Sequence, residues 1–265
     1  RKEALIKPIL DRFEVETNIK VNLITAKAGA LLTRLSAEGK ASPADVFITV
    51  DAGNLQRAKE AGVLQIVERD VLNKKIPATM RDEEGYWFGL SMRARPIFYA
   101  KDRVDPAKLS TYEALGDDQW KGRVCIRSSS NIYNQSLIAS MIVADGSEKT
   151  EAWAKKLVAN VAKPPAGGDT DQLKAVNAGL CDVAIANTYY YGRLANSEKA
   201  SDNEIAQKLA VFWPNQSNRG THVNVSGAGV TAHSKNKDNA IQLIEFLTTD
   251  EAQAWYSKVN NEYPV

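Results

Sequence analysis

Apolar residues at positions 5, 6, 9, 10 and 13 recur with the 3.6-residue period of a helix, and Pro8 is tolerable there only near the first turn. The period then switches. Residues 19–23, Ile-Lys-Val-Asn-Leu, alternate apolar and polar as a strand does, and a second helical stripe through Leu31, Leu32 and Leu35 stops at Gly39. A buried strand is predicted over 43–49, followed by a helix over 54–61 that ends at Gly62. Helices alternating with short apolar strands predict a mostly parallel sheet covered on both faces.

Between Tyr86 and Lys101 that rhythm is lost. The stretch 87–99 is too long for one ordinary strand and too rich in aromatic and β-branched residues for a helix, so it reads as an extended crossover. A second α/β series follows, with a helix near Tyr112, a strand over 123–127, helices over 133–144, 150–160 and 170–178, and a strand running into Asn187. The extended segment 221–230 reads as a return crossover, and helices over 237–247 and 250–258 complete the chain. The prediction is an α/β, two-lobed clamshell with two extended crossovers. Its first lobe is discontinuous, over 1–91 and 229–265, and its second covers 92–228. Small ligands bind such folds where strand carboxyl ends and helix N-termini converge.

Composition narrows the classes. Over 265 residues, 44% hydrophobic and 25% charged content is that of a water-soluble globular protein, which excludes disordered and collagen-like chains. A net charge of +2 without a basic run gives no sign of a nucleic-acid partner, and no membrane span is present in the sequence. The chain opens at Arg1 without methionine, leader or preceding strand, which predicts processing or residues beyond these ends. Cys125 and Cys181 lie on apolar, strand-like segments, and their spacing makes no zinc cluster. They leave open a disulfide, which an oxidising compartment favours, or two buried thiols.

Candidate chemistry concentrates in tyrosines. Tyr189 and Tyr190 sit in Asn187-Thr188-Tyr189-Tyr190-Tyr191-Gly192 directly after an apolar strand, and Tyr133 sits in Ser128-Ser129-Ser130-Asn131-Ile132-Tyr133-Asn134. A phenol is protonated until about pH 10. A trivalent cation reverses that, because the charge of a bound metal dominates the ionisation of its ligands. Packing alone also places tyrosines at strand ends. Read as an extended segment, 189–191 sends neighbouring side chains apart, which assigns Tyr191 to packing. His222 and His233 lack metal-ligand spacing and read as structural.

These motifs resemble the periplasmic ferric-ion-binding proteins of bacterial ABC importers. The segments that carry the resemblance are Pro43-Ala44-Asp45-Val46-Phe47, Gly89-Leu90-Ser91-Met92-Arg93-Ala94-Arg95, the 127–137 run, the 187–192 run and Asn261-Glu262-Tyr263-Pro264-Val265, in order along the chain. The resemblance implies a type II periplasmic-binding-protein fold that closes over one Fe(III). It further implies a monomeric, non-enzymatic receptor in the periplasm, or on the extracytoplasmic face of the membrane, that delivers iron to an inner-membrane ABC permease. The chain departs from subclasses with first-lobe ligands, because the place of a glutamate reads Ile48-Thr49-Val50-Asp51 and that of a histidine-tyrosine pair reads Arg1-Lys2-Glu3. It is most similar to the subclass in which three tyrosines of the second lobe coordinate, here Tyr133, Tyr189 and Tyr190, with carbonate or bicarbonate as synergistic anion.

Three phenolates balance Fe(III) with hard oxygen donors. An added oxyanion calls for arginine, whose fork pairs both of its oxygens. Arg1 and Arg93 are the expected anion contacts, with Ser129 at a helix mouth and Asn187 beside the tyrosine pair. Asp51 is open as an extra ligand but reads first as a helix N-cap, and Asp169 or Thr170 as another. Two other readings stand beside this one. A clamshell receptor for a small oxyanion or organic anion needs no metal, and an enzyme needs a nucleophile beside a base, for which no motif is present.

Overall fold

The computed structural model describes residues 3–265. In chain order its elements are α1 (Lys7–Thr17), α2 (Ala28–Glu38), β1 (Val46–Val50), α3 (Ala52–Glu60), α4 (Asp70–Lys75) and β2 (Phe88–Ala94). Next come β3 (Ile97–Ala100), β4 (Val124–Cys125), α5 (Ile132–Asp145), α6 (Ser147–Ala159), α7 (Asp169–Asn177) and β5 (Val183–Ile185). The series ends with α8 (Thr188–Ala195), α9 (Ala200–Lys208), β6 (Leu209–Phe212), β7 (Val223–Val230), α10 (Lys237–Leu247) and α11 (Asp250–Trp255). The chain divides into two α/β units, one of Arg1–Met92 with Asn224–Val265 and one of Arg93–Val223. Residues 224–228, assigned to the second lobe by the sequence, pack with the first unit because β7 pairs antiparallel with β1 from Val46 opposite Val230 to Val50 opposite Ser226.

The first unit holds a three-stranded sheet in the order β1-β7-β2. Gly227 and Gly229 let β7 lie close to its neighbours, since a Cβ would come within 2.4 Å of the Phe88 carbonyl oxygen at one and 2.5 Å of the Tyr86 carbonyl oxygen at the other. Phe13 and Leu10 of α1, Leu72, Ile76, Phe88 and Ile244 pack into one apolar cluster of this unit. Asp51 caps α3 as expected, its carboxylate accepting from the Gly53 N–H at 3.0 Å. The strand expected over 19–23 is extended but joins no ladder among the described residues.

The second unit holds a four-stranded sheet in the order β4-β5-β3-β6. Only β4 and β5 run parallel in it; β3 is antiparallel to both β5 and β6. The expectation of a mostly parallel sheet is thus corrected: the crossover strands β3 and β7 return against their neighbours and make the antiparallel pairs. The long first crossover breaks into β2 and β3 at Arg95-Pro96, where proline has no N–H to give a ladder.

Cys125 ends β4, Cys181 lies two residues before β5, and the two form a disulfide with Cα atoms 5.9 Å apart. It ties together the two strands that lead to the tyrosine motifs. Closing a loop across 56 positions is valued at about 4 kcal/mol by chain entropy. We expect a Cys125→Ala, Cys181→Ala variant to lose about 2–4 kcal/mol in denaturant unfolding. Dithiothreitol should lower the wild-type midpoint and leave the variant's unchanged; equal midpoints for the two oxidised proteins would contradict this.

Candidate metal centre

The strand β5 ends at Ile185, and the backbone turns through Asn187 directly into α8. The tyrosine run is therefore the first turn of a helix and not the extended segment expected. The correction changes the geometry of the side chains. On a helix, successive side chains are about 100° apart, so Tyr189 and Tyr190 can share a face while Tyr191 turns away. The rings of Tyr189 and Tyr190 lie 4.4 Å apart between centroids. Tyr191 stacks on Phe98 at 5.3 Å and donates to the Ala206 carbonyl.

Tyr133 is held by a different helix mouth. Asn131 caps α5 by accepting from the Tyr133 N–H at 3.0 Å, which fixes Tyr133 in the first turn. The three phenols form one interacting group within the second unit. Burial first, then the neighbouring Tyr190, pushes the Tyr133 phenol up to about 12, although a hydrogen bond from Tyr189 and the Arg93 charge oppose the shift. Burial and the charges of Tyr133 and Tyr190 raise the Tyr189 phenol well above its ordinary value. Without a cation among them, these groups stay protonated at neutral pH.

Guanidinium groups surround the phenols. The Arg93, Arg95 and Arg127 carbons lie 5.7, 5.9 and 5.3 Å from the Tyr133 ring centre. The Arg193 carbon lies 5.0 Å from the Tyr189 ring and 5.7 Å from that of Tyr190. Each is within cation–π range, and each opposes the cost of a phenolate. Arg193 was missed in the sequence, yet its signal was there: it follows the tyrosine pair by four and three residues, the spacing that shares a helix face.

The group also has a built anchor that the sequence reading underrated. Asp169, fully buried at the N-terminus of α7, accepts from Arg95 at 2.8 Å, from Arg127 at 3.4 Å and from the Asn187 N–H at 2.8 Å. It is a counter-charge for two arginines and not the cap expected: the N-cap of α7 is Gly168. Arg95 also donates to Asn187 at 2.9 Å and to Asn134 at 2.7 Å. Asn187, expected at the anion, is buried and commits its oxygen to Arg95 and its amide nitrogen to the Tyr189 hydroxyl at 3.4 Å. Ser129 is exposed, its carbonyl accepting from Gln135. Arg1 lies outside the described residues. Arg93 is buried against Tyr133. His222 is pushed down to about 4 by burial and by Arg95 and Arg93, so it is neutral at pH 7. His233 belongs to the other unit. Among the described residues no group of three His, Cys, Asp or Glu side chains is arranged to hold a metal.

Two α/β units, one carrying a partly buried cluster of ionisable oxygen donors, have the make-up of a receptor for a small solute. The chain belongs to the bacterial extracellular solute-binding protein family, whose sequence model matches residues 1–254. It is 53% identical over 254 residues to the protein named iron uptake protein A1 of Synechocystis sp., covering 96% of this chain and 71% of that one. A solved structure described as Trichodesmium IdiA (FutA) in complex with iron and citrate ligands superposes with a TM-score of 0.94 at 53% identity, over 98% of this chain and 82% of that one. The ferric binding protein from Campylobacter jejuni gives 0.95 at 43% identity, over 100% and 84%. The fold is that of the type II periplasmic ferric-binding proteins, and the chain is a solute-binding protein and not an enzyme. Among the described residues no helix is long and apolar enough to cross a membrane.

Proposed function

We propose that this protein captures Fe(III) through the phenolate oxygens of Tyr133, Tyr189 and Tyr190 and hands it, in the periplasm, to an ABC permease of the inner membrane. The observation that carries the reading is the convergence of three phenols, Tyr189 buried and Tyr133 and Tyr190 partly buried, mutually repelling once ionised, among the guanidiniums of Arg93, Arg95, Arg127 and Arg193. Such a cluster is costly to ionise alone and favourable around a hard trivalent cation. The names and bound iron of the relatives support the same cargo.

Three phenolates neutralise Fe(III), and Asp169 offsets only part of the guanidinium charge. The excess positive charge suits an oxyanion completing the iron's coordination, carbonate or citrate, the Trichodesmium structure being described as a complex with iron and citrate ligands. Arg93 and Arg127 are the donors we propose for it, with Ser129 at the α5 mouth; Asn187 acts by orienting Tyr189 and Arg95. In a metal-free anion receptor the phenols would stay protonated and serve as neutral donors beside the guanidiniums, so ferric iron would add no charge-transfer band. Residence in an oxidising compartment agrees with the Cys125–Cys181 disulfide.

The pH dependence tests this reading. Because a phenol is protonated until about pH 10, each phenolate ligand formed near neutrality releases one proton, so affinity rises with pH and falls with acid. Three such ligands give a fall of up to ~1000-fold per pH unit below neutrality. Competition against citrate between pH 5 and 8 checks it, and a pH-independent constant, corrected for citrate's own protonation, would exclude tyrosinate ligation.

A further inference from the structure

The second unit contains a cavity of about 460 Å³ between α5, α6 and residues 161–165, and none of Tyr133, Tyr189 and Tyr190 is among its walls. Leu137 and Ile138 of α5 and Trp153 and Leu157 of α6 make most of its apolar lining. Val158, 71% exposed, and the exposed Pro164 and Pro165 bring part of the wall to the surface, so the cavity opens to solvent. Its volume is in the range of small-molecule sites, about 300–1,000 Å³.

The charged part of the lining is of one sign. Arg127 and the half-buried Lys163 both line the cavity, and no described carboxylate does. Only Nη1 of the Arg127 guanidinium is hydrogen-bonded to a carboxylate, Asp169 at 3.4 Å, and Nε is buried with no acceptor among the described residues. A donor that has left water without a partner is costly. Asn134, the buried amide of the lining, is committed elsewhere: its nitrogen donates to the Arg127 and Ser128 carbonyls and its oxygen accepts from Arg95. The ligand's charge is therefore set by the two cations.

We propose that this cavity binds an amphipathic monocarboxylate of the medium-chain fatty-acid class, its chain against the apolar walls of α5 and α6 and its carboxylate on Arg127, with Lys163 as the second cation. Charge complementarity selects this occupant. A neutral apolar ligand would leave the Arg127 donor unmatched, and a phosphate or dicarboxylate would bring a second charge to a wall that is otherwise apolar. The planar guanidinium suits a carboxylate, and with Nη1 turned to Asp169 its Nε is the donor that lacks an acceptor. The apolar chain supplies the affinity and the head group sets the orientation.

Equilibrium dialysis of the metal-free protein against decanoate, octanoate and decanol tests this. Decanoate should bind at one saturable site, and octanoate, two methylenes shorter, about 15-fold more weakly. Decanol, which lacks the charge that Arg127 pairs, should bind about 10-fold or more weakly than decanoate. Ala154→Phe, which puts a ring into the cavity from α6, should abolish decanoate binding and leave the ferric titration unchanged. Arg127→Gln should reduce decanoate to the affinity of decanol. No saturable decanoate binding, decanol as tight as decanoate, or wild-type decanoate affinity in Ala154→Phe overturns the proposal. So does a wild-type dimer on gel filtration that Ala154→Phe removes, which would make a second copy the occupant.

Discussion

Replacing Tyr189 or Tyr190 by phenylalanine is expected to weaken Fe(III) binding by more than the ~10–100-fold that loss of an outer-shell partner costs. Each substitution removes one anionic oxygen and leaves an aromatic ring of nearly the same shape, so packing between the rings at 4.4 Å survives while a ligand does not. The cluster loses one of three charges that balance the cation. Tyr191→Phe serves as the internal control, since Tyr191 stacks on Phe98 and its hydroxyl gives only one hydrogen bond to the Ala206 carbonyl. Its affinity should stay within about twofold of the wild type and its stability within about 1 kcal/mol. Titrations of ferric citrate against the three variants decide it. Equal losses at all three positions would show that the helical separation of Tyr191 from the pair has no functional meaning.

Asp169→Asn should produce the largest loss of stability of any single site change in the second unit, on the order of 3–5 kcal/mol, the cost of breaking a buried ion pair from one side. The substitution preserves volume and leaves the fully buried Arg95 without its carboxylate partner, while Arg127 loses a second contact. The amide keeps one acceptor oxygen where the carboxylate has two, so the Asn187 N–H must share it with the arginines and the turn that launches α8 is held less firmly. Iron affinity should fall as well, although Asp169 is no ligand in this account, because the turn positions Tyr189 and Tyr190. Urea unfolding of the apo protein reads the first effect and citrate competition the second. An unfolding midpoint unchanged from the wild type would show that the Arg95 pair does not hold this end of the unit together.

The alternation of helices and short strands in the sequence was enough to define the α/β class, and the 3.6-residue stripes located α1, α2, α5, α7 and α10 to within a few residues. Strand direction was not legible. Periodicity reports which side chains are buried and says nothing of the sense in which neighbours run, so β3, β6 and β7 came out antiparallel against expectation. The tyrosine run was misread for a related reason: aromatic and threonine residues at 188–191 favour strands locally, whereas the Asn187 turn and the packing of Tyr191 on Phe98 impose a helix. The sequence singled out Tyr133, Tyr189 and Tyr190 as hard donors near helix mouths, and the fold brings the three together. Their dependence on Asp169 was not legible, since Arg95 and Asp169 are 74 positions apart and meet only through the fold.

If phenolate oxygens bind ferric iron, visible absorption will report it during titration of the apo protein with ferric citrate and bicarbonate at pH 7.5. A tyrosinate-to-iron charge-transfer band should grow, saturate at about one equivalent and vanish in the Tyr133→Phe, Tyr189→Phe, Tyr190→Phe triple variant. Tight binding of iron with no such band would contradict the account.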